Sequence, residues 1–216
     1  MTRRLLALAV LAFAMNPAMA QDKKPVIRVA CIGDSITFGA GVADRAKNSY
    51  PVVLQNLLGD GYEVRNYGVS GRTLLNKGDY PYTKEKAYRD ALAFLPNIVL
   101  IKLGTNDSKP QNWKKADEFE ADYKKLIESF QALESKPKVY LLLPVPAYKG
   151  NFGITEKVVA GEVKPKIEAV AKDLKLPVID LYTALNAKPE LFPDQIHPNA
   201  AGAKLIAETI ATTLKK

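Results

Sequence analysis

Asn97-Ile98-Val99-Leu100-Ile101-Lys102-Leu103 runs straight into Gly104-Thr105-Asn106-Asp107, and this stretch decides the fold. Four consecutive apolar residues with no polar alternation describe a strand covered on both faces, as in parallel sheets. Four further β-rich runs occur at Val26–Ile32, Glu63–Tyr67, Lys138–Leu143 and Pro177–Leu181. Segments with helical periodicity separate them: Tyr50–Leu58, Lys84–Phe94, Ala116–Leu133, Val158–Leu174 and Ala200–Leu214. In the third of these, Phe119, Tyr123, Ile127 and Phe130 form one stripe, which reads as core packing. Asn199 is placed to cap the last helix. Strand–helix alternation of this kind predicts a parallel five-stranded sheet with helices on both faces, a three-layer α/β/α sandwich. Sites in such sheets form at the carboxyl ends of the strands. Three polar, glycine-bearing loops fall there: Gly33-Asp34-Ser35, Gly68–Gly71 and Gly104–Asp107.

Residues 1–20 read as an export signal. Arg3 and Arg4 precede the eleven-residue apolar run Leu5–Met15, and Ala18-Met19-Ala20 has the small-x-small form of a cleavage site. Residues 21–25 then read as a flexible lead-in and 26–216 as one domain of ordinary size. Loss of the two arginines takes the formal charge from +8 to about +6. The expected location is the periplasm or the medium. The apolar run is shorter than the roughly 20 residues of a spanning helix, so the protein is not expected to be membrane-embedded.

Apolar content of 47% with 25% charged residues excludes a disordered or collagen-like chain. The lysines are scattered among acids, as in Lys84-Glu85-Lys86 and Lys114–Asp122, with no arginine-rich stripe, so no nucleic-acid partner is expected. Cys31 is the sole cysteine and lies within an apolar strand, where a buried, inert thiol is the ordinary reading. It lies eleven residues past the expected cleavage point, too far to be a lipoprotein anchor. One histidine and one cysteine cannot build a His/Cys zinc site, so neither metal nor cofactor is expected.

The chemistry-bearing residues are few. His197 stands in Asp194-Gln195-Ile196-His197-Pro198-Asn199, where an acid three residues upstream can accept from Nδ1–H and leave Nε2 as a base. Ser35, at the end of the first strand, can present its hydroxyl at the sheet edge but needs such a base to attack. The Ser35 and Gly71 N–H groups and the Asn106 amide could surround a tetrahedral oxyanion. Taken singly, each has a plain structural reading: a capping histidine, a turn serine, a glycine supplying positive φ, an asparagine capping a turn.

Jointly, in chain order, they carry more. Gly33-Asp34-Ser35-Ile36-Thr37-Phe38-Gly39, Asn66-Tyr67-Gly68-Val69-Ser70-Gly71, Gly104-Thr105-Asn106-Asp107 and Asp194-x-x-His197-Pro198 together resemble the blocks of the SGNH hydrolases, the GDSL esterase/lipase superfamily. The blocks span residues 33 to 198, with Ile36 in place of the leucine in the family's short name. The resemblance implies a flavodoxin-like α/β/α sandwich, Ser35 as nucleophile, Ser35, Gly71 and Asn106 as oxyanion hole, and Asp194 and His197 as the rest of a triad. Asp34 and Asp107 read as loop-shaping acceptors, with Asp34 also a candidate substrate contact.

Tyr80, Tyr82 and Trp113, in loops after the second and third blocks, are candidate sugar-binding aromatics, ordinary loop packing being the alternative. The segment Pro144–Gly161, with Tyr148 and Phe152, could form another wall. Similarity of Gly104–Trp113 to bacterial carbohydrate or sialate O-acetylesterases implies an O-acetylated carbohydrate, or another small ester, as substrate. Two alternatives stand beside it. One is a thioesterase or lysophospholipase on longer chains; the other is a non-catalytic carbohydrate-binding module on an esterase fold.

Overall fold

The computed structural model describes residues 25–215. The export signal expected over residues 1–20, and the lead-in as far as residue 24, lie outside the described residues.

Five parallel strands, β1 Ile27–Gly33, β2 Tyr62–Gly68, β3 Ile98–Lys102, β4 Lys138–Leu142 and β5 Val178–Ile179, form one sheet in the order β2-β1-β3-β4-β5. Around it lie α1 Ser35–Phe38, α2 Tyr50–Leu58, α3 Lys86–Ala93, α4 Phe119–Gln131, α5 Lys164–Asp173, α6 Leu181–Leu185 and α7 Ala200–Leu214, joined by loops that carry further single helical turns. Alternation along the strands divides the core. Ala30, Ile32, Val99, Ile101, Val139 and Leu141 face one way and pack against α3, α4 and α5. Val29, Cys31, Leu100, Tyr140, Leu142 and Ile179 face the other way, towards α2, α6 and α7. The three layers expected from the sequence are present.

The stripe expected on α4 is fully buried: Phe119, Tyr123, Ile127 and Phe130 have no exposed surface. Ile127→Ala should therefore cost about 2–5 kcal/mol, the usual range for truncating a packed aliphatic side chain, read as a lower urea midpoint at unchanged slope. Cys31 is likewise sealed, and burial pushes its thiol up to about 12, leaving an inert group.

Two elements differ from the sequence expectation. The helix read over Val158–Leu174 is interrupted by a wider π-type turn at Val159–Val163 before α5 resumes. Pro165, in the first turn of α5, has no N–H to give the turn before it. The last strand is shorter than Pro177–Leu181, because Asp180 caps α6 by accepting from the Thr183 N–H. At the open edge the Gln55 amide accepts from Val64 N–H and donates to the Tyr62 carbonyl. That covers part of β2 against strand addition.

β1 and β3 are neighbours, so the loops leaving their carboxyl ends must lie side by side. The chain turns abruptly after β1. A Cβ on Gly33 would sit 2.0 Å from Thr37 Oγ1 and 2.8 Å from the Lys102 carbonyl oxygen, so only glycine fits this approach.

Candidate active site

Ser35 opens α1, directly after β1. The preceding Asp34 caps the helix, its Oδ1 accepting the Ile36 N–H at 3.0 Å. A serine in the first position of a helix has no intrahelical partner for its own N–H, which remains available to a ligand. Ser35 is 8% exposed, yet its Oγ lies at the wall of a pocket of about 240 Å³ lined also by Ala40, Ser70, Gly71, Asn106, Lys109, Phe152, Ile154 and His197.

His197 reaches this pocket from the turn before α7. Its Nε2 lies 2.8 Å from Ser35 Oγ, and its Nδ1 lies 2.6 Å from Asp194 Oδ2. The acid loop is tightly wound. Gln195 takes a left-handed φ of +75°, unusual for a residue with a side chain. Asp194 Oδ1 accepts the N–H groups of both Ile196 and His197. Burial pushes the Asp194 carboxyl up, but those two N–H groups and the imidazole outweigh it and hold the carboxyl below its ordinary value. An ionised Asp194 fixes the proton on Nδ1 and leaves the Nε2 lone pair facing the Ser35 hydroxyl. Beyond the ring, Asn199 caps α7 by accepting from Gly202 N–H, as its sequence position suggested.

The second and third strand ends supply neutral donors. Gly71 lines the pocket and adopts φ +80°, a left-handed conformation that suits glycine. Asn106 donates one amide hydrogen to the Arg72 carbonyl at 3.1 Å, which orients the group and leaves the other hydrogen free. Asp107 holds the two loops together, its carboxylate accepting from the Leu74 and Leu75 N–H groups. Burial pushes that carboxyl up to about 7. The pocket thus gathers Ser35, Gly71, Asn106 and His197, and Asp194 completes a hydrogen-bonded chain behind the imidazole.

The proposed substrate contacts fare differently. Tyr82 is fully buried and donates its hydroxyl to the Tyr67 carbonyl, so it is a core residue and touches no substrate. Asp34 is also fully buried, its carboxylate facing Lys102 and the Ile36 N–H, so it shapes the loop only. Trp113 does not line the pocket. Its ring meets Phe119 edge-on at 5.5 Å and its indole N–H donates to Glu162 at 2.6 Å. Tyr80 is 59% exposed beside Arg72, outside the pocket lining. Of the two aromatics in the Pro144–Gly161 segment, Tyr148 packs on Phe192 away from the pocket. Phe152 is 57% exposed at the pocket with its ring 5.8 Å from that of His197.

Lys102 carries no sequence-based expectation at all. It closes β3 as a lysine only 1% exposed, its Nζ 3.3 and 3.4 Å from the two Asp34 oxygens and 2.7 Å from Thr105 Oγ1. The available signal was a lysine ending an apolar strand, since such a residue, once buried, must find a carboxylate.

A serine, an imidazole and a carboxylate are thus hydrogen-bonded in sequence at the carboxyl edge of a doubly wound parallel sheet, where sites of α/β proteins form. Residues 31–205 match the model of the GDSL-like Lipase/Acylhydrolase family, and the chain belongs to that family. It is 47% identical to an acetylxylan esterase of Xylanibacter ruminicola over an alignment covering 89% of this chain. The chain spans only 44% of that relative's length. Among solved structures it is similar to the aryl esterase of M. smegmatis, with 21% identity, a TM-score of 0.71 and coverage of 88% of this chain and 99% of that one. It is similar also to Est24, a carbohydrate acetylesterase from Sinorhizobium meliloti, with 22% identity, a TM-score of 0.71 and coverage of 88% and 98%. Among the described residues, no helix is long and apolar enough to cross a membrane, and no group of three or more His, Cys, Asp or Glu side chains is placed to hold a metal ion.

Proposed function

We propose that this protein is an exported serine esterase that removes acetyl groups from O-acetylated carbohydrate. The observation that carries the reading is the Ser35–His197–Asp194 chain, at 2.8 and 2.6 Å, opening on a small pocket lined also by Gly71 and Asn106. His197 Nε2 takes the Ser35 Oγ proton as Oγ attacks the ester carbonyl carbon. The resulting oxyanion accepts from the Ser35 and Gly71 N–H groups and the free Asn106 amide hydrogen. Collapse breaks the bond to the sugar oxygen, which leaves with the proton from His197. Water then attacks the acetyl-serine, giving its proton to His197, and acetate departs as Oγ is reprotonated. Export rests on the Arg3-Arg4, Leu5–Met15 and Ala18-Met19-Ala20 pattern.

Two further observations support acetyl as the acyl group. The related protein is named an acetylxylan esterase. The pocket is also small, about 240 Å³ against the roughly 300–1,000 Å³ of drug-sized sites. Phe152, half exposed beside His197, offers the apolar face that a sugar ring could lie on.

Rates on aryl acetate, butyrate and octanoate, with acetate release from acetylated xylan, test the reading. Turnover should fall by octanoate, and acetylated xylan should release acetate. A deep apolar pocket would instead gain about 0.8 kcal/mol per buried methylene. A steady rise with chain length would favour a thioesterase or lysophospholipase. Phe152→Ala should slow the xylan reaction more than the aryl acetate reaction.

A further inference from the structure

We propose that Lys102 is a positioning residue for the reaction, locking the Ser35 turn to the Asn106 loop from beneath the pocket. The inference rests on the acyl-transfer reading above.

Lys102 bridges two elements that must keep register. One of its contacts is Asp34, whose Oδ1 also caps α1 at the Ile36 N–H, directly after Ser35. The other is Thr105 Oγ1 at 2.7 Å, in the residue before Asn106. Burial holds the Lys102 ammonium below its ordinary pKa, and Asp34, with Asp107 further along the same loop, opposes that shift. Through these contacts one side chain fixes the nucleophile turn relative to an oxyanion donor without itself lining the pocket.

Stability alone does not account for the pair. Lys102 and Asp34 are 1% and 0% exposed at the side chain. Removing two such charges from water costs about what their attraction returns, and neutral isosteres often leave a protein as stable or more so. What an ammonium supplies that a methionine cannot is directed donors to two partners at once. Reacting groups displaced by about 1 Å can cost on the order of 100-fold in rate, so fixed register is of value here.

Lys102→Met alone leaves the buried Asp34 carboxylate without its counter-charge and is expected to lower the melting temperature. The deciding variant is therefore Asp34→Asn with Lys102→Met. It removes both charges, keeps an oxygen for the Ile36 N–H, and should fold. Thr105→Val provides a milder break of the second contact. For each, kcat and KM on an aryl acetate are measured per active site titrated with a serine-reactive phosphonate, alongside the melting temperature. The double variant is expected to melt near the wild type while kcat per titrated site falls on the order of 10- to 100-fold and KM moves less than about threefold. Thr105→Val should lose less, in the same sense. A double variant that melts normally and turns over within twofold of the wild type overturns the inference, as does a loss confined to the fraction of titratable sites. Ser35→Ala in the otherwise unchanged chain separates the two claims, because activity surviving there defeats the acyl-transfer reading whatever Lys102 does.

Discussion

Ser35→Ala should abolish measurable esterase turnover, with kcat lower by on the order of 10⁴- to 10⁶-fold and the melting temperature nearly unchanged. The size follows from what the residue does. Its Oγ makes its hydrogen bond to His197 Nε2 at the wall of an open pocket, so truncation leaves no closed cavity and no buried orphan in the core. The helix cap beneath it belongs to Asp34, which remains. A phosphonate that labels one site in the wild type should label none in the variant. Retention of more than about a tenth of the activity would show that another group attacks the ester, since residual catalysis without the serine is limited to binding and oxyanion stabilisation.

Much of this fold and site is legible in the sequence, and the reason is physical. The continuously apolar run Ile98–Ile101 reads as a strand covered on both faces, and strand–helix alternation along the chain calls for a parallel sheet between two helical layers. Once the sheet is parallel, strand ends share an edge, so polar loops after β1, β2 and β3 must converge. The register between β1 and β3, with Gly33 opposite Lys102, could not be read from either strand alone. That register is what places Lys102 under Asp34.

Aromatic placement was legible least. Tyr82 and Trp113 follow the second and third blocks closely, but proximity in the chain does not say which way a ring turns. Tyr82 turns inward because its hydroxyl finds the Tyr67 carbonyl, and Trp113 because Phe119 and Glu162 receive its ring and N–H. Phe152 is held outward by a tight turn in which it, Gly150 and Gly153 all take positive φ. Such a turn depends on contacts across the chain, including Asn151 Nδ2 donating to the Asp194 carbonyl, that no local pattern encodes.

Asp194→Asn should lower kcat on the order of 10⁴-fold at neutral pH while leaving Ser35 and His197 in place. The carboxylate accepts on both oxygens, Oδ1 from two backbone N–H groups and Oδ2 from the imidazole at 2.6 Å. An amide keeps one acceptor, and the two backbone donors will claim it. The NH₂ group then faces Nδ1 and can only donate, which drives the ring proton to Nε2 and turns the base towards Ser35 the wrong way round. The loss should appear in kcat with KM little altered, because the pocket wall is intact. A second readout follows from the depressed Asp194 carboxyl. A carboxyl held below its unfolded value, ordinarily about 3.9, adds stability that is present above that value and is lost as pH falls through the folded one. The wild type's stability advantage over Asp194→Asn should thus persist from neutral pH to about pH 5 and shrink below it. Urea unfolding of both proteins across that interval, with kcat measured at neutral pH, checks the two together. Near-normal turnover in Asp194→Asn would remove the carboxylate from the mechanism, and a stability difference that does not change on acidification would show that its hydrogen bonds do not favour the ionised form.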